Sequence, residues 1–95
     1  MNEQSETKPD HHVEVIVVTT SGLFPPSGSD RLASNQPVKN QLKKAVKELH
    51  IVDTTNWVAT VGGTQIDPDK SYTENGLSGL VSIDYGPSHG GGGVE

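Results

Sequence analysis

Cysteine is absent from this 95-residue sequence, which excludes a disulfide framework, a thiol nucleophile and a cysteine-based zinc site. It also excludes a thioester carried on one of the protein's own side chains. Hydrophobic residues make up only 31% of the chain and 11 residues are glycine, so we expect extensive loop or tail and a small core. A chain of this length is expected to form one domain.

Long apolar runs and excess positive charge are also missing. Because no 18 consecutive residues are apolar and residues 1–12 are polar, neither a membrane span nor a signal peptide is predicted, and a cytoplasmic protein is the default expectation. The formal net charge of −5 argues against a nucleic-acid partner, since phosphate contacts require clustered Lys and Arg.

Composition divides the chain into three segments. Residues 1–12 offer almost nothing to bury, so we expect a disordered N-terminal lead. The apolar residues cluster in residues 13–85, which are expected to form the folded domain. Residues 86–95 contain four consecutive glycines and no large apolar cluster, which predicts a flexible glycine-rich C-terminal tail.

Strands are predicted at both ends of the domain. Residues 13–19 are nearly all β-branched, which is typical of a central strand, and residues 80–85 alternate like a half-buried last strand. The proline and glycine in residues 22–36 predict a long loop with at most a short strand over residues 30–33. The inward positions of the first strand are expected to be its odd residues, Val13, Val15 and Val17.

One helix is predicted over residues 37–49. Ser34 or Asn35 is the candidate N-cap, and Pro37 suits the first turn because it lacks an N–H that a helix would leave unpaired. The apolar residues of this segment recur at helical spacing and predict a buried stripe made of Val38, Leu42, Ala45, Val46 and Leu49.

Glycines mark two features after the helix. Residues 57–61 predict a strand that stops at Gly62-Gly63, and residues 64–66 are its expected partner in a hairpin. Residues 72–77 predict a single helical turn ended by Gly76, because glycine adopts the left-handed conformation that ends many helices.

This order of elements, followed by a glycine tail, resembles the ubiquitin-like β-grasp family. The resemblance spans residues 13–93 and is carried by the hairpin at residues 57–66, the turn Tyr72-Thr73-Glu74-Asn75-Gly76-Leu77 and the tail. Within that family the sequence looks most like the bacterial ubiquitin-like proteins encoded beside activating-enzyme, conjugating-enzyme and metallopeptidase-like partners. The resemblance implies an α+β fold in which a mixed sheet of four or five strands packs on one α-helix.

The resemblance also implies how the tail would act. An ATP-dependent activating enzyme adenylates the terminal carboxylate, a conjugating enzyme takes it as a thioester, and a target protein accepts it. The residues that would enter the narrow active-site clefts of these enzymes form the conjugation tail, Gly90, Gly91, Gly92 and Gly93. Because Gly93 is followed by Val94 and Glu95, a metallopeptidase-like processing enzyme is expected to remove those two residues, leaving Gly93, or alternatively Gly91 or Gly92, as the terminus.

Two other functions fit the same fold. A β-grasp sulfur carrier also activates a terminal glycine, although such carriers normally end at Gly-Gly without processing. A non-conjugated β-grasp interaction domain would use the tail only as a linker. If Gly62-Gly63 corresponds to the turn after ubiquitin's third strand, the centre of ubiquitin's hydrophobic recognition patch falls on Thr60. A polar residue at that position argues against recognition by ordinary ubiquitin-binding domains.

No catalytic residue, metal ligand set or cofactor is predicted. The sequence has no Gly-x-Ser-x-Gly elbow, and a chain this small offers little room to bury an active site. The histidines lack the spacing of a zinc ligand set: His11, His12, His50 and His89. Lys39, Lys43 and Lys47 recur every four residues on one helical face, which indicates a solvated face, a docking stripe or acceptor lysines.

Overall fold

The computed structural model describes residues 11–88. Within these residues three strands precede one helix and three follow it, in the order β1 (His12–Thr19), β2 (Gly22–Phe24), β3 (Asp30–Ala33), α1 (Val38–Glu48), β4 (Trp57–Val61), β5 (Thr64–Gln65) and β6 (Gly79–Pro87). Within the described residues, no helix has the length and apolar character that would be needed to cross a membrane.

The six strands form one mixed sheet in the order β2-β1-β6-β4-β5, with β3 also paired to β1. β1 and β6 are parallel neighbours at the centre, and the remaining pairs are antiparallel. β2 and β3 pair with opposite ends of β1, so together they occupy one edge position that residues 25–29 interrupt. The sheet therefore has five positions, and the predicted α+β architecture with one helix on a mixed sheet is confirmed.

Alternation along the two central strands builds the core. Val13, Val15 and Val17 are buried, as their odd positions predict, and Val81 and Ile83 are buried on β6 beside them. On the helix, Val38, Leu42 and Ala45 are buried against this face, whereas Val46 and Leu49 are only partly buried. Burying an aliphatic side chain of this size contributes about 1.5–3 kcal/mol, so the stripe is the main reason the helix lies on the sheet.

The predicted N-cap of the helix is wrong. Pro37 is the N-cap and makes no side-chain capping bond. The first free amides of α1 are instead satisfied by carbonyl groups from a distant loop: the Val38 N–H donates to Lys70 O at 3.0 Å and the Lys39 N–H to Pro68 O at 2.9 Å. Because these acceptors lie about thirty residues away in the chain, no local sequence signal marks them.

The prediction of a long loop over residues 22–36 is also corrected. This segment contains β2 and β3, which are the edge strands paired with β1. The short strand expected at residues 30–33 is confirmed, but β2 was not predicted. Phe24 on β2 belongs to the core, and the Lys44 ammonium lies 5.9 Å from the centre of its ring.

Two glycine-dependent turns match their predictions. Gly62 and Gly63 join Val61 to Thr64 with φ of 59° and 85°, the positive pair that a two-residue type I′ hairpin needs. Gly76, with φ of 74°, ends the single turn that begins at Tyr72. There the Leu77 N–H donates to Tyr72 O and the Gly76 N–H donates to Thr73 O, the bond pair of a Schellman motif.

The folded domain is slightly longer than predicted at each end. β1 begins at His12, one residue early, and β6 continues through Gly86 to Pro87. Gly86 and Pro87 therefore belong to the sheet rather than to the tail, because they pair with Val58 and Trp57 of β4.

Candidate functional site

The end of β6 is where the described domain meets the glycine-rich segment. Pro87 lies opposite Trp57 in the antiparallel β4–β6 pair. One residue later, the Ser88 N–H donates to Asn56 O at 2.8 Å. In the sheet β6 lies between β1 and β4, but β1 pairs with it only as far as Asp84, so residues 85–87 are held by β4. The sheet therefore fixes the position from which residues 89–95 continue.

The predicted conjugation tail lies outside the described residues. This applies to Gly90, Gly91, Gly92 and Gly93, to the two residues expected to be removed, Val94 and Glu95, and to His89. Their roles stay predictions.

Two aromatic rings pack against each other near the end of β6. The rings of Trp57 and Tyr85 are 5.1 Å apart between centroids at an interplanar angle of 80°, the edge-to-face arrangement that aromatic rings prefer. Trp57 starts β4 and Tyr85 lies two residues before the end of β6, so strand pairing brings together residues 28 positions apart. Both side chains are partly buried.

The outer face of the sheet is mixed in polarity near its centre. Thr60 pairs with Asp84 across β4 and β6, and the neighbouring Ala59 and Ile83 point into the core. Thr60 is therefore on the outer face, where the resemblance to ubiquitin places the centre of the recognition patch. A hydroxyl and a carboxylate at this position give a surface that suits hydrogen-bonding partners more than aliphatic ones.

The helical lysines differ in their partners. Lys39 lies 3.4 Å from Asp69 in an exposed ion pair, whereas the ammonium groups of Lys43 and Lys47 have no ion-pair partner within residues 11–88. All three line one groove beside Trp57 and Tyr85. The periodic lysines thus occupy one face, and that face borders an aromatic surface that the sequence pattern did not indicate.

Polar groups buried near the helix were missed by the sequence prediction. The Gln41 side chain is buried and donates from Nε2 to Asp30 Oδ2 at 2.7 Å. Tyr72 is fully buried, and its hydroxyl has no hydrogen-bond partner among residues 11–88. Burial raises the pKa of Tyr72 to about 12, and the negative charge of Asp30 adds to the shift. Within the same residues, no group of three or more His, Asp or Glu side chains could hold a metal ion.

Comparison with known proteins gives a fold and no sequence family. No family model matches the sequence, and no curated protein matches it. Among solved structures, a protein designed de novo on the basis of ubiquitin is 13% identical, with a TM-score of 0.64, and the match covers 90% of this chain and 99% of that one.

Two natural domains are similar in the same way. The N-terminal ubiquitin-like domain of the 4931431F19Rik protein is 20% identical with a TM-score of 0.58, covering 98% of this chain and 94% of that one. The UBL domain of yeast Ddi1 is 15% identical with a TM-score of 0.57, covering 85% and 96%. At these identities the likeness concerns the fold alone, and the chain has the ubiquitin-like fold.

Proposed function

We propose that this protein is a ubiquitin-like modifier that is processed after a C-terminal glycine and joined through that carboxylate to target proteins. The ubiquitin-like fold supports a role as a protein modifier, because it supplies a compact domain that partner enzymes can bind while the C-terminal end of the chain enters their active-site clefts. The chemistry belongs to an ATP-dependent activating enzyme, a conjugating enzyme and a metallopeptidase-like processing enzyme. The modifier contributes a carboxylate and a docking surface.

The observation that carries the proposal is the spacing between the sheet and the glycine run. Ser88 is still bonded to Asn56, and Gly90 follows two residues later in the sequence. Four glycines that follow so soon after a strand paired with β4 suit narrow enzyme clefts, because a residue without Cβ lets the walls of a cleft approach the backbone closely. The carboxyl group of Gly93 lies in a peptide bond to Val94, so activation requires that bond to be cut.

The alternatives use the same fold differently. A sulfur carrier would need the same free glycine carboxylate but would hold it as a thiocarboxylate. A non-conjugated domain would bind partners through its surface and would keep the tail intact. The polar pair at Thr60 and Asp84 leaves room for this second alternative, because it offers hydrogen-bonding groups at the centre of a common interaction face.

Mass spectrometry of the chain isolated from its native cells distinguishes these functions. A modifier should be found with a terminus at a glycine in the run and in isopeptide-linked adducts. Trypsin should leave on the target lysines the whole segment that follows Lys70, which is the last Lys or Arg of the sequence. A mass increase of one sulfur in place of one oxygen would support the carrier. A chain recovered with residues 89–95 intact and without adducts would support the interaction domain and overturn the proposal.

A further inference from the structure

A groove between α1 and the start of β4 is lined by an unusual combination of side chains. Its volume is about 410 Å³, and its lining includes Val46, Trp57 and Tyr85 together with Lys39, Lys43 and Lys47. No Asp or Glu lines this groove, although the protein has 12 acidic residues against seven Lys and Arg. Three of the seven basic residues therefore border one partly apolar surface of an acidic protein.

The charges at the groove are available to a partner. Lys39 is paired with Asp69, but the ammonium groups of Lys43 and Lys47 have no ion-pair partner in the described part of the chain. The indole N–H of Trp57 and the hydroxyl of Tyr85 likewise have no hydrogen-bond partner among residues 11–88. The groove thus offers several unused donors, which carboxylate oxygens can accept from, beside apolar surface.

The apolar part of the groove has the character of an interaction surface. Partly buried Trp and Tyr side chains are enriched at protein interfaces, because they supply a large apolar area and a polar donor on a stiff frame. The edge-to-face contact between Trp57 and Tyr85 holds both rings in place before a partner arrives, so little side-chain entropy is lost on binding.

We propose that this groove binds a short acidic peptide segment of a partner protein, with an aliphatic side chain against Trp57 and carboxylates beside Lys43 and Lys47. Charge complementarity selects the partner: a basic or neutral peptide would leave the two lysines unpaired, whereas the negative field of the rest of the molecule would repel an acidic peptide elsewhere. The contact does not depend on conjugation, since it uses no residue of the tail.

Trp57 is the sole tryptophan of the sequence, so its fluorescence and its single indole N–H signal in NMR report on the groove directly. The probe is the peptide acetyl-Glu-Glu-Leu-Leu-Glu-Glu-amide, titrated into the full chain at low salt. Two control peptides replace both leucines with serine or all four glutamates with lysine. We expect a saturable change at Trp57 with the probe alone. Equal changes with the serine peptide, or none with the probe, would overturn the proposal.

A matched pair of variants locates the binding. Lys43→Glu should weaken the probe about tenfold, because it replaces an attraction with a repulsion. Lys44→Glu makes the same change of charge about 100° around the helix, beside Phe24 and outside the groove lining, and should alter affinity by less than about twofold. Circular dichroism checks that both variants fold. If Lys43→Glu does not fold, Lys43→Gln is used in its place. Equal weakening by both variants would mean general charge attraction and would overturn the proposal.

The chain's own tail is the competing occupant. A variant that ends at Ser88 should bind the probe as the full chain does, with an unchanged Trp57 spectrum before titration. If deletion of residues 89–95 alone shifted Trp57, and the probe then bound much more tightly, the tail would fill the groove and the partner-peptide proposal would be wrong.

Discussion

Ser71 and Glu74 cap each other at the start of the turn that precedes the last strand. The Ser71 N–H donates to Glu74 Oε1 at 2.9 Å, and the Glu74 N–H donates to Ser71 Oγ at 3.0 Å, which is the reciprocal bonding of a capping box. Asn75 extends the arrangement, since its side-chain amide donates to Asp67 O and to Ser71 O. One helical turn is thereby fixed at both ends, by this box and by the Gly76 Schellman motif.

Loss of the Ser71 hydroxyl should therefore lower the stability of the whole domain. We expect Ser71→Ala to lower the free energy of unfolding by about 1 kcal/mol, because the Glu74 N–H at the start of the turn loses its acceptor. Glu74→Gln keeps an acceptor oxygen at the same position and should stay within about 0.5 kcal/mol of wild type. Urea unfolding followed by circular dichroism measures both, and equal losses in the two variants would contradict the role of the hydroxyl.

The features that the sequence predicted correctly are the local ones. The turn at residues 72–77, the hairpin at Gly62-Gly63 and the burial of Val13, Val15 and Val17 depend on neighbours within a few positions, so local patterns indicated them. The helix N-terminus was mispredicted because its acceptors, Lys70 O and Pro68 O, come from a distant loop.

Features created by strand pairing were hidden from the sequence for the same reason. Trp57 and Tyr85 meet only because β4 pairs with β6, and Gln41 is buried only because Asp30 on the edge strand accepts its hydrogen bond. The tail prediction rests on composition and resemblance, and its residues lie outside those the structure describes.

The buried helix stripe gives a second prediction. Leu42→Asp should prevent cooperative folding, because a carboxylate would replace a buried leucine side chain of the core, at a cost of several kcal/mol in a small domain. Asn40→Asp places a similar charge on the exposed face of the same helix and should melt close to wild type. Thermal unfolding compares them, and a cooperative melt near wild type for Leu42→Asp would show that the stripe does not anchor the helix.

The β4–β5 hairpin gives a third prediction, which separates backbone conformation from packing. A Cβ added at Gly62 meets no atom within 4 Å, so any penalty comes from its φ of 59°. Gly62→Val should lower the free energy of unfolding by about 1–2 kcal/mol, whereas Gly62→Asn should cost less, because Asn tolerates the left-handed region. Chemical denaturation of the two variants tests this, and equal losses would contradict the conformational cause.

The unpartnered hydroxyl of Tyr72 gives a fourth prediction. Tyr72→Phe should match or slightly exceed wild type in stability at neutral pH, since it removes a buried polar group without a partner. Because burial raises the pKa of Tyr72 to about 12 from the ordinary tyrosine value of 10.0, the unfolded chain loses its proton first as pH rises. The contribution of Tyr72 to the free energy of unfolding is therefore unaffected by ionisation below pH 10. Between pH 10 and 12 it falls by up to about 1.4 kcal/mol per pH unit.

Comparison of wild type with Tyr72→Phe isolates the contribution of this hydroxyl. Tyr72→Phe should lose stability less steeply than wild type between pH 10 and 12. Unfolding in denaturant at a series of pH values gives the slopes. Parallel slopes for wild type and Tyr72→Phe would mean that the hydroxyl titrates normally.

The last prediction concerns the tail and separates processing from conjugation. With its cognate peptidase, activating enzyme and conjugating enzyme, the full chain should be cut after a glycine and then form covalent adducts, because adenylation needs a free α-carboxylate. A chain truncated after Gly93 should form adducts without the peptidase. Gly93→Pro should block the route, since proline fixes φ and removes an N–H from a segment that enzymes hold through main-chain contacts, whereas Gly63→Ala leaves the tail unchanged and should still be processed. Intact mass and gel shift measure both steps. If adducts retained Val94 and Glu95, or if the truncated chain formed none with the same enzymes, the glycine run would be a linker and the surface of the domain would carry the function.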